Sequence, residues 1–262
     1  MGARVEEIVA YVDELLEIDR FSDYGPNGLQ VPNVGEAREV TTVVTGVSAQ
    51  LALFERAVQE RAQLVLAHHG ILWDFEPRRI GAAHAKRLRT LLCNDIALAG
   101  YHLPLDAHPE IGNNALIAAG LGAARTEPAF THSGTPIGVI AHFESDDDPA
   151  EGVPAPELFA RIATLTDRDP LVFDGGPPNV KRLGIVSGSA ANDLTSAIDQ
   201  RLDAFMTGEP KEHVMAQARE NQIHFIAAGH YATETFGIRR VGELVAEKFG
   251  VSHHFVDLPN PV

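Results

Sequence analysis

Leu64-Val65-Leu66-Ala67-His68-His69-Gly70 is a short apolar run closed by two histidines and a glycine. A run of that length reads as a buried strand, and polar side chains at its carboxyl end fall where open α/β sheets bind their ligands. Successive residues of a strand point to opposite faces. His68 and His69 are therefore expected to serve one site only if the chain leaves the extended conformation there, which Gly70 permits. One histidine on each of two close metals is easier to build than both on one. Two further strand-like runs end in a ligand pair: Ile96 to Asp106 closes with His102-Leu-Pro-Leu-Asp106, and Phe225 to Glu234 with His230-Tyr-Ala-Thr-Glu234. Three strand ends thus offer six candidate ligands.

Outward from this stretch, Val40 to Val47 reads as a strand and Ala49 to Arg61 as a helix, on β-branched density and on helical spacing respectively. Apolar residues at Val5, Ile8, Val9, Val12, Leu15 and Leu16 predict a helix over residues 4 to 18. Tyr24-Gly-Pro-Asn-Gly-Leu-Gln-Val31 reads as a loop; turn chemistry accounts for it, with a site or interface loop as the alternative. Residues 84 to 94 read as a helix and Ile96 to Ala99 as a strand that delivers His102. Pro104 suits the first turn of a helix, which places Asp106 in that turn, facing back toward His102. Asn113 to Leu121 reads as a helix ending at Gly122, capped by Asn114 or Asn113.

The chain also repeats itself. Val40 to Gly70 aligns without gaps to Val180 to Pro210, and His102 to Asp106 lies over His230 to Glu234 with the same spacing. This predicts an α/β fold of two structural repeats, mixed sheets flanked by helices, with an inserted middle module: a first repeat with its N-terminal helix over residues 1–128, the insertion over 129–179, and a second repeat over 180–262 that completes the metal site. Within the insertion, Thr135 to Phe143 and Pro170 to Phe173 read as strands, Ala155 to Thr166 as a helix, and Glu144 to Asp148 as a solvated turn.

Composition narrows the function. Of 262 residues, 36 are acidic and 21 basic, a formal charge of -15, which argues against a nucleic-acid backbone or an anionic membrane as the main partner. Cys93 is the only cysteine, so neither an internal disulfide nor a thiolate cluster is available, in keeping with a reducing cytoplasm. The amino terminus shows no signal-peptide pattern and no run reaches membrane-spanning length. Met1-Gly2 is not read as a myristoylation start, because Glu6 stands where that motif wants Ser or Thr.

Imidazole and carboxylate without thiolate suit zinc, iron, manganese, cobalt or nickel, and a carboxylate can bridge two such ions. Six ligands exceed one tetrahedral site and fit a dinuclear centre with its metals about 3.5 to 4 Å apart, for which a bridging hydroxide is the natural nucleophile. Competing chemistry is weaker. Gly184 to Ser189 lacks the lysine of a phosphate-binding loop and reads as a plain turn. Cys93 reads as filler within a helix. Glu209 and His213 either line the site or start a surface helix. His253-His254 falls in an alternating strand and is not read as a ligand pair.

The set Asn27-Gly-Leu-Gln-Val31, Ala67-His-His-Gly70, His102-x-x-x-Asp106, Thr207-Gly-Glu209 and Gly229-His-Tyr-x-Thr-Glu234 resembles the GTP cyclohydrolase 1 type 2 homologues, or Nif-three-like proteins, over nearly the whole chain. The resemblance implies two intertwined α/β repeats, a toroidal homohexamer and a two-metal site facing an internal cavity. It implies His68, His69, Asp106, His230 and Glu234 as the ligands of two divalent ions, Glu234 or Asp106 bridging, with His102 beside the metals as a proton carrier or substrate contact. The implied activity is hydrolysis of a nucleotide-like or heterocyclic substrate through a metal-activated water. A non-catalytic metal-handling or regulatory role with the same ligands is the alternative. One departure stands out: where many members have a Gly-Arg turn near the start of the middle module, this chain has His132-Ser-Gly-Thr-Pro-Ile-Gly138.

Overall fold

The β-branched run after Val40 forms the strand Thr42–Ser48, and the run before the paired histidines forms Leu64–His69, in a computed structural model that describes residues 3–35, 39–143 and 152–262. The acidic tract Glu144 to Asp148 and the pair Met1-Gly2 lie outside the described residues. The chain divides into two compact units, Met1–Leu105 with Gly237–Leu258, and Asp106–Phe236 with Pro259–Val262.

In the first unit the strands lie in the order Gly28–Val31, Ala97–Gly100, Leu64–His69, Thr42–Ser48 and Ser252–Phe255. The last four are mutually parallel, and the first is antiparallel to its neighbour. A parallel sheet is covered on both faces, which is why Leu64 to Ala67 is an unbroken apolar run with every residue fully buried. Leu53, Phe54 and Ala57 of the helix Leu51–Gln59 pack with Val44, Val65, Leu98 and Leu91. Each such Leu or Phe contributes roughly 1.5–3 kcal/mol by leaving water. The helix Ala82–Cys93 forms as expected, but Cys93 is exposed at its end and fills no core. The N-terminal helix stops at Leu15, earlier than its spacing suggests, because Glu17 takes a left-handed φ of 48° before a short 3-10 turn at Ile18–Arg20.

The loop reading of residues 24 to 31 is corrected in part. Gly28–Val31 is an edge strand paired with Ala97–Gly100, with an irregularity between Leu29 and Val31. Its pairing partner lies about seventy residues away in sequence, so nothing local announces the strand.

The second unit holds a mixed sheet in the order Arg125–His132, Thr135–His142, Arg182–Ile185, Ala204–Thr207, His224–Ala227 and Leu171–Phe173. Its three central strands are parallel and its flanking ones antiparallel. The segment between the repeats thus extends this sheet at both edges, while its helix Ala155–Thr166 packs Leu158 and Ile162 into the core with Leu183, Met206 and Ile226. The repeat is visible in the register. Val43 pairs with Leu64 in the first sheet, and the residues 140 further on, Leu183 and Ala204, pair in the second. The departing turn is a tight hairpin: His132 faces Thr135 across Ser133 and Gly134, both with positive φ, 49° and 87°. Among the described residues no helix is long and apolar enough to cross a membrane.

Candidate metal centre

In the first unit, the carboxyl ends of neighbouring parallel strands bring three imidazoles together. His68 and His69 both remain within the strand Leu64–His69, so the expected break before Gly70 does not occur, and yet their rings lie 4.8 Å apart between centres. Bonds to the two flanking strand ends aim them. His68 Nδ1 lies 2.8 Å from the Tyr101 carbonyl oxygen on one side, and His69 Nδ1 lies 3.2 Å from Ser48 Oγ on the other. A carbonyl oxygen can only accept, so His68 carries a proton on Nδ1, which leaves Nε2, a buried atom, as the nitrogen with the lone pair, the usual arrangement behind a metal-binding histidine. Gly70 has no positive φ; a side chain there would collide with the Gln30 amide, which accepts from the Ile71 N–H at 2.8 Å and donates to the Pro26 carbonyl at 2.7 Å. Close approach, rather than a turn, is what requires glycine.

His102 completes the trio. Its Nδ1 lies 2.7 Å from Asp23 Oδ1, its backbone N–H donates to Asn27 Oδ1 at 2.8 Å, and the Leu103 N–H donates to Asp23 Oδ2 at 2.9 Å. Burial pushes the Asp23 carboxyl up, but the hydrogen bond and charge of His102, with Asn27 and the Tyr24 amide, prevail and hold it at about 2. One ring nitrogen from each of His68, His69 and His102 lies within 4.8 Å of the others, a group that could hold a metal ion. The loop reading missed Asp23, although an aspartate, a glycine and an asparagine around one proline were the signal available.

The second unit gathers carboxylates and one imidazole. Asp106, in the short helix Leu103–Ala107, is 7 % exposed and accepts at Oδ1 from Asn113 Nδ2 at 2.7 Å and Ser187 Oγ at 2.9 Å. Asn114 donates to the Asp106 carbonyl at 3.2 Å and the Ile137 carbonyl at 2.7 Å, and its Oδ1 accepts from the Ser187 N–H at 2.8 Å. The two asparagines are therefore not helix caps: Gly112 occupies that position, and both side chains are buried around Asp106. An oxygen of Glu234 lies within 4.8 Å of one of Asp106, and His230 Nε2 stands 3.2 Å from Glu234 Oε2. His230 Nδ1 bonds Glu209 Oε1. Burial lowers the His230 pKa, but the hydrogen bonds and charges of Glu234 and Glu209 outweigh it and raise the value to about 9. A cation taken up beside Glu234 would displace that proton.

The turn read as plain, Gly184 to Ser189, supports this cluster. Ser187 holds Asp106, and Gly188, at a φ of +67°, lies against Glu234 Oε1 and His230 Nε2, so that a Cβ there would intrude. Of the two uncertain residues, Glu209 reaches His230, whereas His213 is exposed before the helix Val214–Glu220. His253 and His254 sit in the strand Ser252–Phe255, where His253 Nε2 lies 2.8 Å from Thr45 Oγ1.

Two mixed α/β units, one presenting three imidazoles and the other two carboxylates and an imidazole, define a protein whose His, Asp and Glu groups could bind a cation. The chain belongs to the Duf34/NIF3 (NGG1p interacting factor 3) family, whose model matches residues 3–261. It is 38% identical over the full length of both chains to the GTP cyclohydrolase 1 type 2 homolog of Pseudomonas aeruginosa. It is 42% identical to that of Escherichia coli, covering 97% of this chain and 98% of the other. Among solved structures it is similar to protein ybgI, described as of unknown function, with a TM-score of 0.89, 40% identity, and 99% and 100% of the two chains covered.

Proposed function

We propose that the protein is a dinuclear, divalent-metal-dependent hydrolase of a nucleotide-like heterocycle, with His68, His69, Asp106, His230 and Glu234 holding two ions per chain. The observation that carries this reading is how the imidazoles are held. His68 and His102 are bonded through Nδ1 to acceptors, a backbone carbonyl and a buried carboxylate, and His69 through Nδ1 to a hydroxyl. That arrangement tunes histidines for first-row divalent ions. The donor set lacks thiolate and so fits zinc, iron, manganese, cobalt or nickel. When bound, such ions supply electrophilic activation of the substrate and of water.

The chain's own residues do the rest. Asn113 and Ser187 fix the Asp106 carboxylate, Glu209 orients the His230 ring, and His102, steadied by Asp23, carries a proton between the attacking and leaving positions. A cytoplasmic setting accords with the single Cys93. The names of the curated relatives, GTP cyclohydrolase 1 type 2 homolog, suggest GTP as the first substrate to try.

Elemental analysis of reconstituted protein and an assay of formate release from GTP test this together. The expected result is two ions per chain and metal-dependent formate release, both diminished in Glu234→Ala. Two bound ions without turnover on GTP or related heterocycles would instead favour a metal-handling or regulatory protein.

A further inference from the structure

Of the aromatic side chains that follow the paired histidines, Trp73 is half-buried and Phe75 exposed. Trp73 meets His102 edge-on at 5.2 Å between ring centres, lies 6.1 Å from His69, and stacks on Phe75 at 5.6 Å with the rings 20° apart. Phe75 is 73% exposed and Ile80 61%. Large apolar groups left in water next to a polar cluster mark a binding surface. They adjoin a cleft of about 470 Å³, lined by Trp73, Arg78, Arg79 and His84 together with Asp74 and Glu76, a size suited to a small molecule.

Charge in this region runs against the rest of the chain. Overall, acidic residues outnumber basic ones 36 to 21, yet from Pro77 through Asn94 there is no Asp or Glu, while Arg78, Arg79, Lys86, Arg87 and Arg89 all fall there. An aromatic face flanked by guanidinium groups suits a ligand with a flat ring and an anionic tail. Ring stacking and guanidinium–phosphate pairing each supply affinity without demanding a deep pocket.

We propose that this cleft is the recognition arm of the site and binds a phosphorylated heteroaromatic compound, its ring stacked on Trp73 beside His69 and His102 and its phosphates on Arg78 and Arg79. Asp74 and Glu76 accept from N–H groups on the ring edge. The proposal rests on the hydrolase reading for the fate of the ring, but not for its binding.

Trp73 is the only tryptophan, so its emission reports directly on the cleft. GTP, guanosine and inorganic tripolyphosphate are titrated into the whole chain, with and without metal loading. GTP should quench saturably in both states and bind about tenfold or more tighter than either fragment, as stacking and phosphate contacts combine. Arg78→Ala/Arg79→Ala should weaken GTP by about tenfold or more and leave guanosine unchanged, and Trp73→Leu, followed by calorimetry, should weaken both nucleoside ligands. No saturable quenching by GTP, or equal affinity in the double arginine variant, overturns the proposal. Formate release indifferent to the arginines overturns the cleft and leaves the hydrolase reading standing. Arginine-dependent binding without formate release does the reverse.

Discussion

The bond between His102 Nδ1 and Asp23 Oδ1 fixes the orientation of the imidazole, and a positioned ring is what a group that moves protons requires. The same bond would raise the basicity of Nε2 toward a metal. Replacing the ring with an amide separates these roles. His102→Gln should keep both ions and lose about a hundred- to ten-thousand-fold in turnover; metal lost in proportion to activity would make His102 a ligand. Gly188 is the other residue on which much depends. Alanine there must hold a left-handed φ, at a cost of about 1–2 kcal/mol, and its methyl group faces the Glu234 carboxylate and the His230 ring. Gly188→Ala should lower the melting temperature and weaken metal uptake together, measured by thermal unfolding and metal titration. Unchanged uptake would remove Gly188 from the support of the cluster.

Among the elements, the strand Ser252–Phe255 sets His253 against Thr45 and leaves no room for a side chain at Gly242. Burial lowers the His253 pKa below its usual 6.5, with Glu243 opposing and His254 and Arg239 adding to the shift. The unfolded chain gains this proton near pH about 6.5 while the folded one gains it only at lower pH, so stability declines as pH falls through that window. His253→Gln should flatten this decline, seen as a smaller difference in urea midpoint between neutral and mildly acidic solution. Equal pH dependence in both proteins would show that the site titrates no differently when folded. His253→Ala should leave bound metal untouched. The elements that could be read from sequence are those with local signals: the helix Ala155–Thr166, the strand before His68, and the short helix carrying Pro104 and Asp106. Gly28–Val31 escaped because its partner strand, and not its composition, makes it extended.

For the whole molecule, the resemblance read from the sequence carries an expectation about assembly. We propose that the chain forms a homohexamer, as the resemblance implies, and light scattering at micromolar concentration should return six times the 28.2 kDa chain mass. A monomer with metals bound would confine the resemblance to the single chain.

The sequence by itself determined the α/β class, the internal repeat, the family and the identity of the histidines and acids that end or closely follow three strands, because periodicity, spacing and residue chemistry are local properties. Only the tertiary structure decided which polar neighbours hold those groups. Asp23 behind His102, Asn113 and Ser187 on Asp106, and Gln30 against Gly70 are contacts between residues up to 81 positions apart. The return of Gly237–Leu258 to the first unit has the same origin. Strand pairing and buried hydrogen bonds gain their energy from partners that meet only after the chain has folded, so no window of sequence records them.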